Sequence, residues 1–367
     1  MQQRADKDCP MTAAPPLGIV EGFYGKRWSF AERRHVVSTL APHSYGFYHY
    51  APKADAHLRD AWRSPHGENE ARDLSAFSSF CRDAGLRFGI GLSPMGAAEA
   101  FTPEARTRLE DKITALCALG LDDLLILFDD MPVVDADIAA RQGEVIACAR
   151  AAAPAQRLIV CPSYYTDDHV LDRVFGARPA GYLEDFARRM PDDVEIFWTG
   201  EEVCARAISP GHLARVADQI GRKPFLWDNY PVNDGSRMSR HLHLRAMTGR
   251  PANIGPHLSA HAVNPALQPH LSCLPALTLA ASYRDGDAYA YMAAFRSAAN
   301  ALFGADIATL LEADLYALQD DGLDRLSPER TAKIRARWAA IDHPVAAEII
   351  GWLDGVYAYG AEALPTE

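Results

Sequence analysis

Asp129 and Asp130 close an apolar run, Leu124-Leu125-Ile126-Leu127-Phe128, that reads as a buried strand. Near-continuous apolar runs mark strands covered on both faces, and the carboxyl ends of such strands are where α/β barrels place their chemistry. Neighbouring side chains on a strand point to opposite faces, but where the strand ends the backbone can turn and bring both acids into one pocket. Two carboxyls in different surroundings then divide the work of acid and base, one ionised while the other holds a proton. The following helix has better capping candidates in Asp135 and Asp137, which leaves the adjacent pair for chemistry.

Similar polar and aromatic residues end nearly every other strand-like run. The first ends Val20-Glu21-Gly22-Phe23-Tyr24-Gly25, the second runs Tyr50-Ala51-Pro52-Lys53, and the fifth gives Cys161-Pro162-Ser163-Tyr164-Tyr165. The sixth ends Trp198-Thr199-Gly200, the seventh Trp227-Asp228-Asn229 with Asp234 close behind, and the eighth leaves His261 and Asn264. A mouth lined by Tyr24, Tyr165, Trp198 and Trp227, with Asp, Asn and Lys between them, suits a sugar. Aromatic faces pack on its C–H surfaces, and the polar groups fix its hydroxyls.

The elements that must hold these residues are eight strands: Leu17–Phe23, Tyr45–Tyr50, Arg87–Leu92, Asp123–Phe128, Arg157–Cys161, Glu195–Trp198, Pro224–Trp227 and about Asn253–His261. Helical patterns separate them, for example Ser29–Leu40, Asn69–Ala84, Pro103–Leu119 and Ala136–Ala152. Ser29 and Glu32 form a capping box, Thr102-Pro103 opens a helix, and Gly85 and Gly120 close two. Eight strands alternating with helices predict a (β/α)8 barrel over residues 17–283, with a doubly wound open sheet as the alternative. Residues 1–16 read as a disordered N-terminal segment. Residues 284–367 read as an all-helical region of about four helices, broken near Gly304, Ser327-Pro328 and His343-Pro344, with a frayed tail from Gly360.

Composition narrows the partners. A net charge of -11 argues against nucleic acid or an anionic membrane, and 49% hydrophobic content with 23% charge is ordinary for a globular chain of 367 residues. The seven cysteines, Cys9, Cys81, Cys117, Cys148, Cys161, Cys204 and Cys273, are scattered and form no C-x-x-C pair, as expected of reduced thiols in a cytoplasmic protein. The sequence has no signal-like segment and no apolar span of membrane length.

Six motifs in order, V-E-G-F-Y-G with Trp28, Y-A-P-K, F-D-D, W-T-G, W-D-N…N-D and V-N-P, resemble the catalytic domain of glycoside hydrolase family 84, the O-GlcNAcases and bacterial β-N-acetylglucosaminidases. The resemblance covers about Leu17 to Leu267. It implies a retaining exo-β-N-acetylglucosaminidase on a TIM barrel, with no cofactor, in which the substrate's acetamido oxygen attacks C1 and forms an oxazoline. It further implies that Asp129 binds the acetamido N–H and that Asp130 is the acid and then the base. Tyr165 would bond the reacting acetamido oxygen, Asn229 would lie near the acetamido group, and Asp234 would clasp the 4- and 6-hydroxyls. Gly22, Lys53 and Asn264 would hold other hydroxyls and close the pocket, and Trp227 would wall the acetamido methyl. The implied partner is a β-GlcNAc-bearing glycoconjugate or glycoprotein, and helices beyond the barrel could build a homodimer. Three departures stand at the rim: Ala54 after Lys53, Met131-Pro132 after the acid pair, and Gly96–Ala100.

Other signals are weaker. His241-x-His243 and His257…His261 lack the company of a metal motif, so no metal is expected. Glu201-Glu202 reads as the solvated start of a helix, and Glu21 as a buried partner of Lys53 or Arg27. Neither G-x-x-x-x-G-K nor G-x-G-x-x-G occurs, which speaks against nucleotide cofactors. Rival readings are a non-catalytic sugar-binding protein, a β-N-acetylgalactosaminidase, and a metal-dependent barrel with Asp129 and Asp130 on Mg²⁺.

Overall fold

A computed structural model of the chain describes residues 14–131 and 136–359. Eight parallel strands close in sequence order: β1 (Leu17–Glu21), β2 (Tyr45–Tyr50), β3 (Arg87–Leu92), β4 (Asp123–Leu127), β5 (Arg157–Cys161), β6 (Glu195–Trp198), β7 (Phe225–Asp228) and β8 (Ala260–Val263). Closure is carried by β1 pairing with β8, Leu17 opposite His261 and Ile19 opposite Val263. The fold is therefore a (β/α)8 barrel, not an open sheet. Helices α1 (Phe30–Leu40), α2 (Glu68–Asp83), α3 (Pro103–Cys117), α4 (Ile138–Ala152), α5 (Val170–Phe175), α6 (Tyr182–Arg188), α7 (Pro210–Ile220) and α8 (Pro269–Asp285) belong to its connections and outer ring.

Local signals set most of these elements. β4 is buried along its whole length because it faces helices on one side and the barrel interior on the other. Ser29 and Glu32 form the reciprocal capping box at α1, and the Thr102 hydroxyl accepts from the Ala105 amide at α3. The barrel interior is packed with rings, Phe197 and Phe225 lying 4.7 Å apart and Phe47 and Phe225 5.4 Å apart. At the amino end of β4, buried Asp123 meets His49 at 3.0 Å and Arg157 at 2.8 Å. This charged plug closes the floor and leaves the opposite end for the site.

Three expectations change. The last strand is Ala260–Val263, because Ala252–His257 winds into a 3-10 helix ahead of it. Glu201-Glu202 occupies an exposed turn well before α7 begins at Pro210, where Ser209 caps the helix. Glu21 is fully buried as expected, but its partner is Arg33 of α1, at 2.7 and 2.8 Å, with the Tyr48 hydroxyl donating at 2.5 Å. Neither Lys53 nor Arg27 makes that pair.

Beyond α8 come α9 (Tyr291–Phe303), α10 (Ala305–Leu315), a π-helical turn (Tyr316–Asp321), α11 (Gly322–Arg325), α12 (Pro328–Ala339) and α13 (Pro344–Leu353). The breaks at Gly304, Ser327-Pro328 and His343-Pro344 fall where the sequence puts them; the π turn and short α11 add to the four helices expected. This region is bonded to the barrel: Glu348 of α13 accepts from the His270 and Leu271 amides at the start of α8, and Leu242 N donates to Leu318 O. Among the described residues, no helix is long and apolar enough to cross a membrane. Of the N-terminal segment 1–16 expected to be disordered, residues 1–13 lie outside the described residues, as do the expected frayed tail 360–367, Cys9, Pro132 and the capping candidate Asp135. Asp137 immediately precedes α4, but its side chain does not bond the first-turn amides.

Candidate active site

Asp129 and Asp130 reach one pocket because the chain turns sharply after β4. Asp130 has φ 59°, in the left-handed region that Asp tolerates better than most side chains. Both carboxyls are buried, at 7% and 8% exposure. The Lys53 ammonium donates to Asp129 Oδ2 and lies 3.9 Å from Asp130 Oδ2. Two phenols hold the second acid: Tyr24 donates to Asp130 Oδ2 at 2.8 Å, and Tyr165 donates to Oδ1 at 3.2 Å. Burial, reinforced by Asp130, keeps both phenols far above the usual tyrosine range, so they are donors at any working pH. Asp129 Oδ1 is buried and has no hydrogen-bond partner among the described residues. A buried acceptor left unmatched costs about 1–3 kcal/mol, which a donor arriving in the pocket would recover.

The wall opposite is built around Asn229. Its side-chain oxygen accepts from Trp227 Nε1 at 3.0 Å and from Asn264 Nδ2 at 2.9 Å, while its Nδ2 donates to Val203 O at 2.8 Å. The indole of Trp227 lies so close to Gly22 that a Cβ there would sit 2.1 Å from Cζ2. Only glycine admits this contact. Asn264 Oδ1 accepts from the Gly22 amide at 3.2 Å, and Asp234 Oδ2 accepts from the Tyr24 amide at 2.7 Å, so β1, β7 and β8 are tied together at the mouth. The cavity holds about 650 Å³ of free space, its open mouth included.

The loops that carry these groups are themselves anchored. Asp55 accepts from the His57 amide, the Tyr50 hydroxyl, His66 and Arg27, fixing a turn that presents Lys53 on one side and Arg59 on the other. Burial pushes the Asp55 carboxyl up, but its partners outweigh this and hold it at about 2. The loop after β7 is braced by the helical region: Gln319 accepts from the Leu244 and Arg245 amides at 2.8 Å, Asp320 pairs with Arg245, and Trp352 Nε1 donates to Ser239 O at 3.1 Å.

Of the residues expected from sequence, Gly22, Tyr24, Lys53, Asp129, Asp130, Tyr165, Trp227, Asn229, Asp234 and Asn264 all line this cavity. Trp198 does not. It is buried outside the barrel, its indole donating to His212 of α7 at 2.9 Å, because strand alternation sends Phe197 inward and Trp198 outward. The next residue, Thr199, lines the cavity instead, with Cys161, Val203, Cys204, Val232 and Met238. Cys161 ends β5, and Val203, Cys204 and Val232 sit in irregular segments where no periodicity marks them. Arg59, which donates to the Tyr24 hydroxyl at 2.7 Å, was also hidden, six positions past Lys53 in a polar loop.

Three of the four histidines weighed for metal binding are hydrogen-bonded within the fold: His241 to Gln319 O, His243 to Val232 O, and His261 between Tyr283 and Asp228. Asp55, His66 and Glu70 bring ligand atoms within 4.8 Å of one another. The Arg27 guanidinium already sits on both carboxylates there, and its charge opposes a second cation. Asp129 likewise carries the Lys53 ammonium where a divalent ion would bind.

Comparison with known proteins agrees with this geometry. The family model described as beta-N-acetylglucosaminidase matches residues 17–318. The proteins named Protein O-GlcNAcase from Mus musculus and Rattus norvegicus are each 26% identical over 280 residues, 73% of this chain; the chain spans 30% of their length. A solved mutant of the Thermobaculum terrenum O-GlcNAc hydrolase superimposes with a TM-score of 0.76 at 26% identity, covering 93% of this chain and 80% of that one. The chain belongs to the β-N-acetylglucosaminidase (NAGidase) family of glycoside hydrolases.

Proposed function

We propose that this protein is a retaining exo-β-N-acetylglucosaminidase that works through an oxazoline formed by the substrate's own acetamido group. The observation that carries this reading is the division of labour within the acid pair. Asp129, which lines the cavity, has one oxygen on Lys53 and the other buried and unmatched among the described residues, a fitting acceptor for an amide N–H. Asp130 is held by two phenols and no arginine, as suits a group that gives up and regains a proton.

In the first step the acetamido oxygen attacks C1, and the bond from C1 to the leaving oxygen breaks. Asp130 transfers its proton to that oxygen. Positive charge develops on the ring that forms, and Asp129 faces its N–H across a dry site, where such stabilisation is strongest. In the second step a water attacks C1, Asp130 takes its proton, and the acetamido C–O bond to C1 opens. Two displacements at C1 give net retention, and neither needs an enzyme nucleophile. Trp227, packed on Gly22 and close to Val203, offers an apolar surface for the acetamido methyl. Asp234 and Asn264 stand across the cavity to meet ring hydroxyls. The relatives' names make GlcNAc on protein one aglycone class to test.

The test is the initial rate on 4-nitrophenyl β-GlcNAc, β-GalNAc and β-glucoside in EDTA, with NMR of the first anomer released. Activity confined to acetamido sugars, with β-anomer product, supports the proposal, and the GlcNAc to GalNAc ratio names the epimer. Hydrolysis of the glucoside at a similar rate, α-anomer product, or EDTA inhibition would overturn it.

A further inference from the structure

A general acid that donates from one carboxyl must carry its proton on the oxygen that faces the leaving group. Nothing in the acid pair alone decides which oxygen of Asp130 that is. A chain of donors entering from the loop after β2 does decide it. Arg59 follows the turn capped by Asp55, and its Nη1 donates to the Tyr24 hydroxyl oxygen at 2.7 Å. Its Cζ also lies 5.1 Å from the centroid of the Tyr24 ring, so the side chain is held against the phenol. Tyr24 in turn reaches Asp130 Oδ2 at 2.8 Å.

Arginine has donors only and stays charged at every working pH. A phenol oxygen that already accepts from a guanidinium is a poor acceptor for a second proton, so its own proton must point onward, to Asp130. The Lys53 ammonium approaches the same oxygen, Oδ2, at 3.9 Å. Oδ1 meets one donor, Tyr165, at 3.2 Å. In the proposed reaction Tyr165 turns to the acetamido oxygen, and Oδ1 is then released from its bond.

We infer that Arg59 is a positioning residue: acting through Tyr24, it fills Oδ2 of Asp130 with a donor and so confines the catalytic proton to Oδ1. Without Arg59 the Tyr24 hydroxyl is free to rotate and accept from Oδ2, and the proton is then stored on the wrong oxygen. The defect is one of acid delivery. It falls on substrates whose leaving group needs a proton and spares those that do not. This inference rests on the proposed roles of Asp130 and Tyr165.

The experiment compares kcat/KM of the full chain on methyl β-GlcNAc, a poor leaving group, and 2,4-dinitrophenyl β-GlcNAc, an activated one. Arg59→Met should lower the first roughly tenfold and the second less than about twofold. Arg59→Lys, which keeps a donor, should restore most of the loss. Tyr24→Phe should lower the rate on methyl β-GlcNAc at least as much, and Arg59→Met with Tyr24→Phe should be no worse than Tyr24→Phe alone on that substrate, because both act on one proton. Equal losses on both substrates, failure of lysine to rescue, or additive losses in the double variant would each overturn the inference. An inactive wild-type enzyme on the dinitrophenyl substrate would instead refute the proposed function. That outcome is distinct, because it precedes any comparison of variants.

Discussion

Replacing Asp129 by asparagine changes one atom and should remove a defined interaction. In the native site Oδ2 accepts from Lys53, and Oδ1 is buried with no partner among the described residues. The asparagine amide must orient its oxygen to Lys53, since the opposite choice sets an NH2 donor against an ammonium. Its NH2 group then occupies the place of Oδ1 and meets the substrate's acetamido N–H donor to donor. Two terms are lost together: a charge-assisted hydrogen bond of about 1.5–3 kcal/mol, and the anion facing the cationic oxazolinium in a closed site. Removing a comparable preorganised group from a transition state costs about 2.7–4 kcal/mol, or 10²–10³ in kcat. Because oxazoline formation accompanies the departure of every leaving group, the loss should be of similar size for 4-nitrophenyl and methyl β-GlcNAc. Steady-state kinetics on the two substrates, with circular dichroism to confirm folding, measure it. An Asp129→Asn enzyme within about threefold of wild type, or one impaired only on the methyl glycoside, would refute the assignment, since proton delivery belongs to Asp130.

Asp130→Asn should show the opposite pattern, with a loss of about 10²–10⁴ on methyl β-GlcNAc and a much smaller one on the 2,4-dinitrophenyl glycoside; equal losses would argue against its role as acid. Gly22→Ala places a methyl group 2.1 Å from the Trp227 ring and must displace it from Asn229, so kcat/KM should fall about 100-fold with the fold intact; an unimpaired variant would mean that Trp227 does not form a rigid wall. Stability should also respond to pH at His243, which burial pushes down to about 4 against the bonds it gives to Val232 and Pro231. Above pH 6.5 the stabilisation from the neutral ring is complete. Between 6.5 and 4 the unfolded chain takes up a proton that the folded one refuses, at about 1.4 kcal/mol per pH unit. Glu348, pushed up from 4.5 to about 8 by burial, works the other way between those two values, which overlaps the His243 window. The His243 contribution is therefore read as the change in the pH slope of denaturant-derived stability in His243→Asn, which should flatten the acid side; an unchanged slope refutes it.

Much of this site was legible in the chain because a barrel gathers its strand ends at one mouth. Once eight strands were read from apolar runs, residues as far apart in sequence as Gly22 and Asn264 could be assigned to one cavity without knowing any distance. Ten of the expected contacts followed from that rule together with the family motifs. Trp198 broke it, because a residue at a strand end points inward or outward according to register, and a four-residue strand does not reveal which. β8 was misplaced for a related reason: Ala252–His257 is apolar enough to pass for a strand, and only its packing selects the 3-10 turn.

The sequence by itself determined the element order, the helix caps and the acid pair, since each depends on residues within a few positions of one another. Tertiary structure alone decided the partners of the charges. Glu21 took Arg33 from the first helix, Lys53 went to Asp129, and Arg59 reached Tyr24. Any of these cations could have served any of those anions as far as the chain's pattern goes. The choice is made by burial, where a charge without a close and well-oriented partner costs several kcal/mol, so the fold that satisfies them all at once is the one that forms.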